Sequence, residues 1–169
     1  MQHPKIEKAP ETVTVRRAAP CDIPALQRLL RQILDLHAKI RPDLFVAGTT
    51  KYKGGALEEL LADEKRPVFV ACLPDGTVAG HLFCVFRDPP ESENIRPFRE
   101  LYIDDLCVDE RFRGTGIGRK LFDTAKRLAE ENGCDMLTLN VWSGNSAAAA
   151  FYEKMGMTPQ RTELELKLG

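Results

Sequence analysis

The sequence predicts a mixed α/β fold. Two observations carry that reading. Short β-prone runs alternate with amphipathic stretches at helical spacing, in the order β-α-α-β-β-β-α-β-α-β. An apolar run over residues 101–108 also leads through a glycine-rich loop directly into an amphipathic helix. At 169 residues and 43% hydrophobic content, the chain has enough apolar surface for one core. Residues 12–169 are therefore read as a single domain. Residues 1–11, with Pro4, Pro10 and mixed charge, are read as a loose tail.

The elements follow in order. Residues 13–18 read as a first strand. Asp22 can cap a helix that tolerates Pro24 in its first turn. Leu26, Leu29, Leu30, Ile33, His37 and Ile40 share one face of it, and Pro42 ends it. Residues 43–55 form a loop with Gly48, Gly54 and Gly55, and a short helix over 56–63 follows. Strands over 68–73 and 78–87 are joined by a turn at Pro74-Asp75-Gly76. Residues 89–97 are polar. After the strand at 101–108, a helix over 117–131 places Ile117, Leu121, Ala125, Leu128 and Ala129 on one face, with Gly133 at its end. A strand over 136–141 and a helix over 145–155 come next. Residues 163–168 alternate charged and apolar side chains, the pattern of an edge strand.

Composition narrows the function. A formal charge of -1 gives no basic face to explain, which argues against nucleic acid as the main partner. The five cysteines are odd in number and none are spaced C-x-x-C, so they read as reduced thiols of a cytoplasmic protein. The three histidines make no metal-ligand pattern with them. No apolar run is long enough to cross a membrane, and the N-terminus lacks the apolar core of a signal peptide.

The loop Arg111-Phe112-Arg113-Gly114-Thr115-Gly116-Ile117-Gly118 carries the most chemistry. A strand, glycines and a helix N-terminus make a phosphate cradle, because the first helical N–H groups lack partners and the helix dipole favours an anion. A P-loop would need Lys-Ser/Thr after the glycines, but Arg119-Lys120-Leu121 follows. A dinucleotide loop would need G-x-G-x-x-G early in the chain, and this one reads G-x-G-x-G and lies late.

Residues 113–118 resemble the R/Q-x-x-G-x-G/A motif of the GCN5-related N-acetyltransferases. The resemblance begins on Tyr102-Ile103-Asp104-Asp105-Leu106-Cys107-Val108. It ends in Asn145-x-x-Ala148-x-x-Phe151-Tyr152-x-x-x-Gly156-Met157, similar to the family's second cofactor motif. It covers roughly the last 70 residues closely. It implies the acyl-CoA N-acyltransferase fold, a central mixed sheet with splayed middle strands flanked by helices.

The resemblance further implies acetyl-CoA as donor, CoA as product, and direct transfer to an amine. The N–H groups of Gly114, Thr115, Gly116, Ile117 and Gly118 would hold the pyrophosphate, flanked by Arg113. Leu106, Cys107 and Val108 would pair with the pantetheine arm, and an N–H on that strand, that of Leu106 above all, would polarise the acetyl carbonyl. Cys107 itself reads as a small buried strand residue. Asn145 matches a cofactor-contacting asparagine and can equally cap the last helix. Tyr152 matches the tyrosine that protonates the leaving thiolate.

Asp104 aligns with an acidic residue used as a base in some polyamine acetyltransferases, and Asp105 is a second base or a ligand for the substrate ammonium. Asn140 stands where some relatives carry a glutamate base. His37 and Phe45 are candidate acceptor-side residues, with Arg41, Asp43 and Tyr52 behind them; His81 and Trp142 read as structural. The acceptor expected is a small-molecule amine: a polyamine, amino-acid derivative or amino sugar. Peptide acetylation and non-catalytic CoA binding are the alternatives. Many relatives pair through edge strands, so a homodimer is an expectation.

Overall fold

A computed structural model of the protein describes residues 12–169, and the expected tail at 1–11 lies outside them. Five strands form one sheet in the linear order β1-β2-β3-β4-β5. They are β1 (Thr14–Arg17), β2 (Val68–Cys72), β3 (Val78–Arg87), β4 (Glu100–Val108) and β5 (Met136–Leu139). All neighbours pair antiparallel except β4 and β5, which run parallel. Helices α1 (Ile23–Ile40), α2 (Ala56–Leu61), α3 (Ile117–Glu131) and α4 (Ser146–Lys154) supply the outer layers.

Strand alternation builds two cores, one on each face. Leu26, Leu29 and Leu30 of α1 and Leu57 and Leu60 of α2 pack on Val68, Val70, Phe83 and Cys107. Ile117, Leu121, Phe122, Ala125 and Ala129 of α3 pack on Ala71, Leu82, Cys84, Leu101 and Ile103. The first set follows the spacing read from α1. The second adds Phe122 to the expected face of α3, and each such aliphatic or aromatic burial stabilises by roughly 1.5–3 kcal/mol. The residues of β3 from Val78 to Cys84 are buried on both faces because both helical layers meet there.

Two expectations are corrected. Asp22 stands at the N-terminus of α1 but its side chain does not cap that helix. Its carboxylate instead accepts from Arg16 Nη1 and Nη2 at 2.7 and 2.9 Å and from the Ala19 N–H at 2.8 Å. A bidentate guanidinium is the stronger partner, and it ties β1 to the turn before α1. The expected edge strand at 163–168 does not form. Leu164, Leu166 and Leu168 are 88%, 83% and 88% exposed. Alternation creates an apolar stripe, but a strand also needs a backbone ladder, and among the described residues this segment has none. It is held through side chains instead: Glu165 to Arg41 at 3.0 Å and Lys167 to Asp43 at 3.0 Å.

No helix among the described residues is long and apolar enough to cross a membrane.

Candidate active site

The central strands part where the resemblance expects a cofactor. β4 and β5 pair from Glu100↔Met136 to Ile103↔Leu139 and no further. Beyond Ile103, β4 keeps its β3 neighbour, with Leu82↔Leu106, His81↔Cys107 and Gly80↔Val108, while its other edge opens. The Asp109 N–H donates to Ala79 O at 2.8 Å, toward β3. Backbone direction alternates along a strand, so the N–H groups of Leu106 and Val108 point to the open edge. Arg113 Nε donates to Val108 O at 3.3 Å from that side. The Leu106 amide therefore stands where a carbonyl entering the gap would meet it.

The loop between β4 and α3 is fastened from below. Asp109, fully buried, accepts from Arg28 of α1 and from Arg111 Nη2 at 2.8 Å, and its Oδ1 accepts the Arg111 N–H at 3.1 Å. Burial pushes its carboxyl upward, yet the Arg111 and Arg28 hydrogen bonds outweigh burial and hold it well below the usual range. Asp109→Asn should lose about 2–3 kcal/mol at pH 7, less than a fully buried pair because both guanidiniums are part-solvated. A depressed carboxyl stabilises above its unfolded pKa. The deficit measured by urea unfolding should therefore shrink as pH falls below about 4.

Gly114 and Gly116 have φ of +77° and +87°, a conformation that favours glycine, and Gly116 is the N-cap of α3. No side chain caps this helix. The amides at its start are thus left to a ligand, and they fit a pyrophosphate. Thr115 turns its hydroxyl to Phe112 O and does not block them.

α4 brings in the second motif. The Asn145 side chain accepts the Ala148 N–H at 3.2 Å, so its capping role is realised. Tyr152 packs against Phe151 and Phe122, with ring centroids 5.1 and 6.2 Å away. Burial, then Asp105 and Cys107, push its phenol well above its ordinary value, so it stays protonated at neutral pH. Cys107 is 3% exposed, and burial followed by the Asp105 charge pushes its thiol up to about 12. That is the chemistry of a packing residue, not of a nucleophile.

On the α1–α2 face lies the candidate acceptor side. Phe83 faces Asp105 and Cys84 faces Ile103, which leaves Asp104 as the extra residue of a bulge. The bulge resolves a parity that the sequence leaves open. Asp105, opposite Phe83, lies on the α1–α2 face, 12% exposed. Asp104 accepts from Lys51 Nζ at 2.8 Å. His37 and Phe45 come together, ring centroids 5.3 Å apart, and Trp142 joins Phe45 edge-on at 5.5 Å. Burial, against a smaller pull from Asp105, lowers the His37 pKa, so it is neutral at pH 7.

Lys51 and Trp142 join this wall, although nothing in the sequence singles out Lys51 and Trp142 reads there as structural. Neither belongs to a motif. Arg41, one of the further candidates, lies over the Trp142 ring at 5.4 Å, while its guanidinium pairs with Asp43. Asn140 donates to Tyr102 Oη at 3.2 Å across the base of the opening.

Comparison with known proteins places the chain in a family. Residues 30–157 match the model of the Acetyltransferase (GNAT) family. Thialysine N-epsilon-acetyltransferase of Bos taurus is 34% identical over 58 residues, 34% of each chain. Spermine/spermidine N(1)-acetyltransferase of Bacillus subtilis is 26% identical over 83 residues, 48% of this chain and 53% of that one. The alignments thus span about a third to a half of these curated relatives. A mutant of the BH1408 protein from Bacillus halodurans superposes with a TM-score of 0.88 at 29% identity, covering 92% of this chain and 99% of that one. An aminoglycoside acetyltransferase from an uncultured soil metagenomic sample, in complex with sisomicin, shares the fold alone. Its TM-score is 0.68 at 23% identity over 93% of this chain and 97% of that one.

Proposed function

We propose that this chain, which belongs to the acetyltransferase (GNAT) family, moves an acetyl group from acetyl-CoA to a primary amine of a small molecule. The observation that carries this reading is the parting of β4 and β5 beside an uncapped helix start. The opening offers backbone donors to a thioester at one end and to a pyrophosphate at the other. Acetyl-CoA, when bound, supplies the activated carbonyl and the thiolate leaving group.

The residues divide the work. Amides 114–118, with Arg113 beside them, bind the pyrophosphate. The open-edge N–H of Leu106 donates to the carbonyl oxygen and stabilises charge developing there. Leu106, Cys107 and Val108 align the arm, and Asn145 fixes the start of α4 and so the place of Tyr152. The protonated Tyr152 phenol gives its proton to the departing sulfur. Asp105 takes a proton from the acceptor ammonium. Asp104 holds a cation, as it holds Lys51 here, and can serve as base only once Lys51 leaves it. His37 and Phe45 wall the acceptor side.

Two carboxylates at the acceptor side suit a cationic amine, in keeping with the polyamine and thialysine named for two relatives. The test is mass spectrometry of reactions holding acetyl-CoA and polyamines, amino acids, aminoglycosides or short peptides. A small amine heavier by about 42 Da, the mass an acetyl group adds, is the expected product of nucleophilic acyl transfer. Product with peptides alone would move the acceptor class to proteins. CoA binding without any product would make the chain a CoA-responsive module.

A further inference from the structure

His81 lies at the centre of β3, 0% exposed, and neither ring nitrogen has a hydrogen-bond partner. Burying an imidazole with both nitrogens unpaired is unfavourable, because each loses water and gains nothing. Its neighbour Phe83 meets it edge-on at 4.8 Å, a contact that leucine or methionine could make without that penalty. Among the described residues, the one other buried side-chain atom left unpaired is Tyr52 Oη, and Tyr52 stacks on the same Phe83. Both rings thus pack on Phe83, which faces Asp105 across the β3–β4 ladder.

His81 Nε2 stands 3.5 Å from Asp105 Oδ2, a little beyond a hydrogen bond. His81 faces Cys107 and Phe83 faces Asp105 across the β3–β4 ladder, so all four side chains share one face. The ionisable groups around Asp105 come from several elements: His37 of α1, Lys51 and Tyr52 of the 43–55 loop, Asp104 and Cys107 of β4, and Tyr152 of α4. Lys51 is bound to Asp104, and His37 is kept neutral by burial. Tyr52 and His81 each keep a donor unspent, and His81 is the one that stands 3.5 Å from the Asp105 carboxylate.

We infer that His81 is a positioning residue for Asp105: its Nε2–H closes on Oδ2 and turns Oδ1 toward the acceptor ammonium. The inference rests on the acetyl-transfer reading above and deepens it. One ammonium N–H bond breaks, its electron pair stays on nitrogen as the nucleophile, and an O–H bond forms at Oδ1. His81 keeps its own proton throughout. A buried donor fixing a carboxylate in this way favours the charged form and one orientation.

Two readouts test this. Long-range proton–nitrogen NMR of the full chain, labelled in its three histidines, reports the tautomer, with His81 assigned by its loss in His81→Gln. Nε2 is expected to carry the proton, and Asp105→Asn should shift the His81 signals while Asp104→Asn leaves them. A bare Nε2, or signals indifferent to Asp105→Asn, overturns the inference. With an amine the wild type acetylates, folded His81→Leu should melt no lower than wild type. It should also lose about tenfold in kcat/KM and move its acid limb to higher pH, a modest share of the effect of general acid–base catalysis. His81→Gln, which retains a donor, should recover most of both. A wild-type profile in His81→Leu refutes the role. If no amine is acetylated, the transfer reading fails, and the NMR result still decides whether His81 holds Asp105.

Discussion

Gly116→Asp is expected to weaken acetyl-CoA binding at least about 100-fold, or ~2.7 kcal/mol. Two causes act together. Gly116 has φ +87°, so any side chain there is strained. No atom lies within 4 Å of a Cβ built at this position, so the aspartate is not resisted by packing. It lies at the start of α3, where a second negative charge repels the pyrophosphate. Calorimetric titration with acetyl-CoA reads the loss, and Gly116→Ala separates strain from charge. The alanine variant should keep more of the affinity than the aspartate. Unchanged binding in Gly116→Asp would remove the loop from the cofactor site.

Tyr152→Phe is expected to lower kcat by roughly 100-fold, within the range for general acid catalysis, while acetyl-CoA affinity stays near wild type. The ring is held by Phe151 and Phe122, so phenylalanine keeps the packing and loses only the proton. Burial and the nearby Asp105 charge raise the phenol's pKa, which keeps the acid form present through alkaline pH. The wild-type profile should accordingly show no basic limb from this group below about pH 10. Rapid-quench measurement of the first turnover isolates the chemical step. A wild-type rate there would exclude Tyr152 as the acid.

Much of the fold was legible because local pattern and tertiary role agree. The β3 and α3 boundaries match the reading residue for residue, since Val78 to Arg87 is a sustained β-prone run and Ile117 to Glu131 is amphipathic and ended by Gly133. The 163–168 segment alternates yet forms no strand, because alternation reports a two-faced segment and not whether a neighbouring backbone exists.

At the site, loop and α4 roles could be carried over because they follow the chain in order. The acceptor side could not. Lys51 meets Asp104 across 53 residues of sequence, and His81 lies beneath Asp105 only through the β3–β4 register. The bulge at Asp104 sets which carboxylate faces which side, and no residue type marks it. His81 read as structural because a buried histidine is ordinarily satisfied; its unpaired nitrogens appear only in three dimensions.

We propose that the gap between β4 and β5 and the start of α3 together hold the acyl donor. The most direct test is a titration of CoA into nitrogen-15-labelled protein, followed amide by amide. The largest shifts are expected at Leu106, Val108 and residues 114–118, with saturation at a one-to-one ratio. Shifts centred elsewhere on the sheet, or none at saturating CoA, would contradict it.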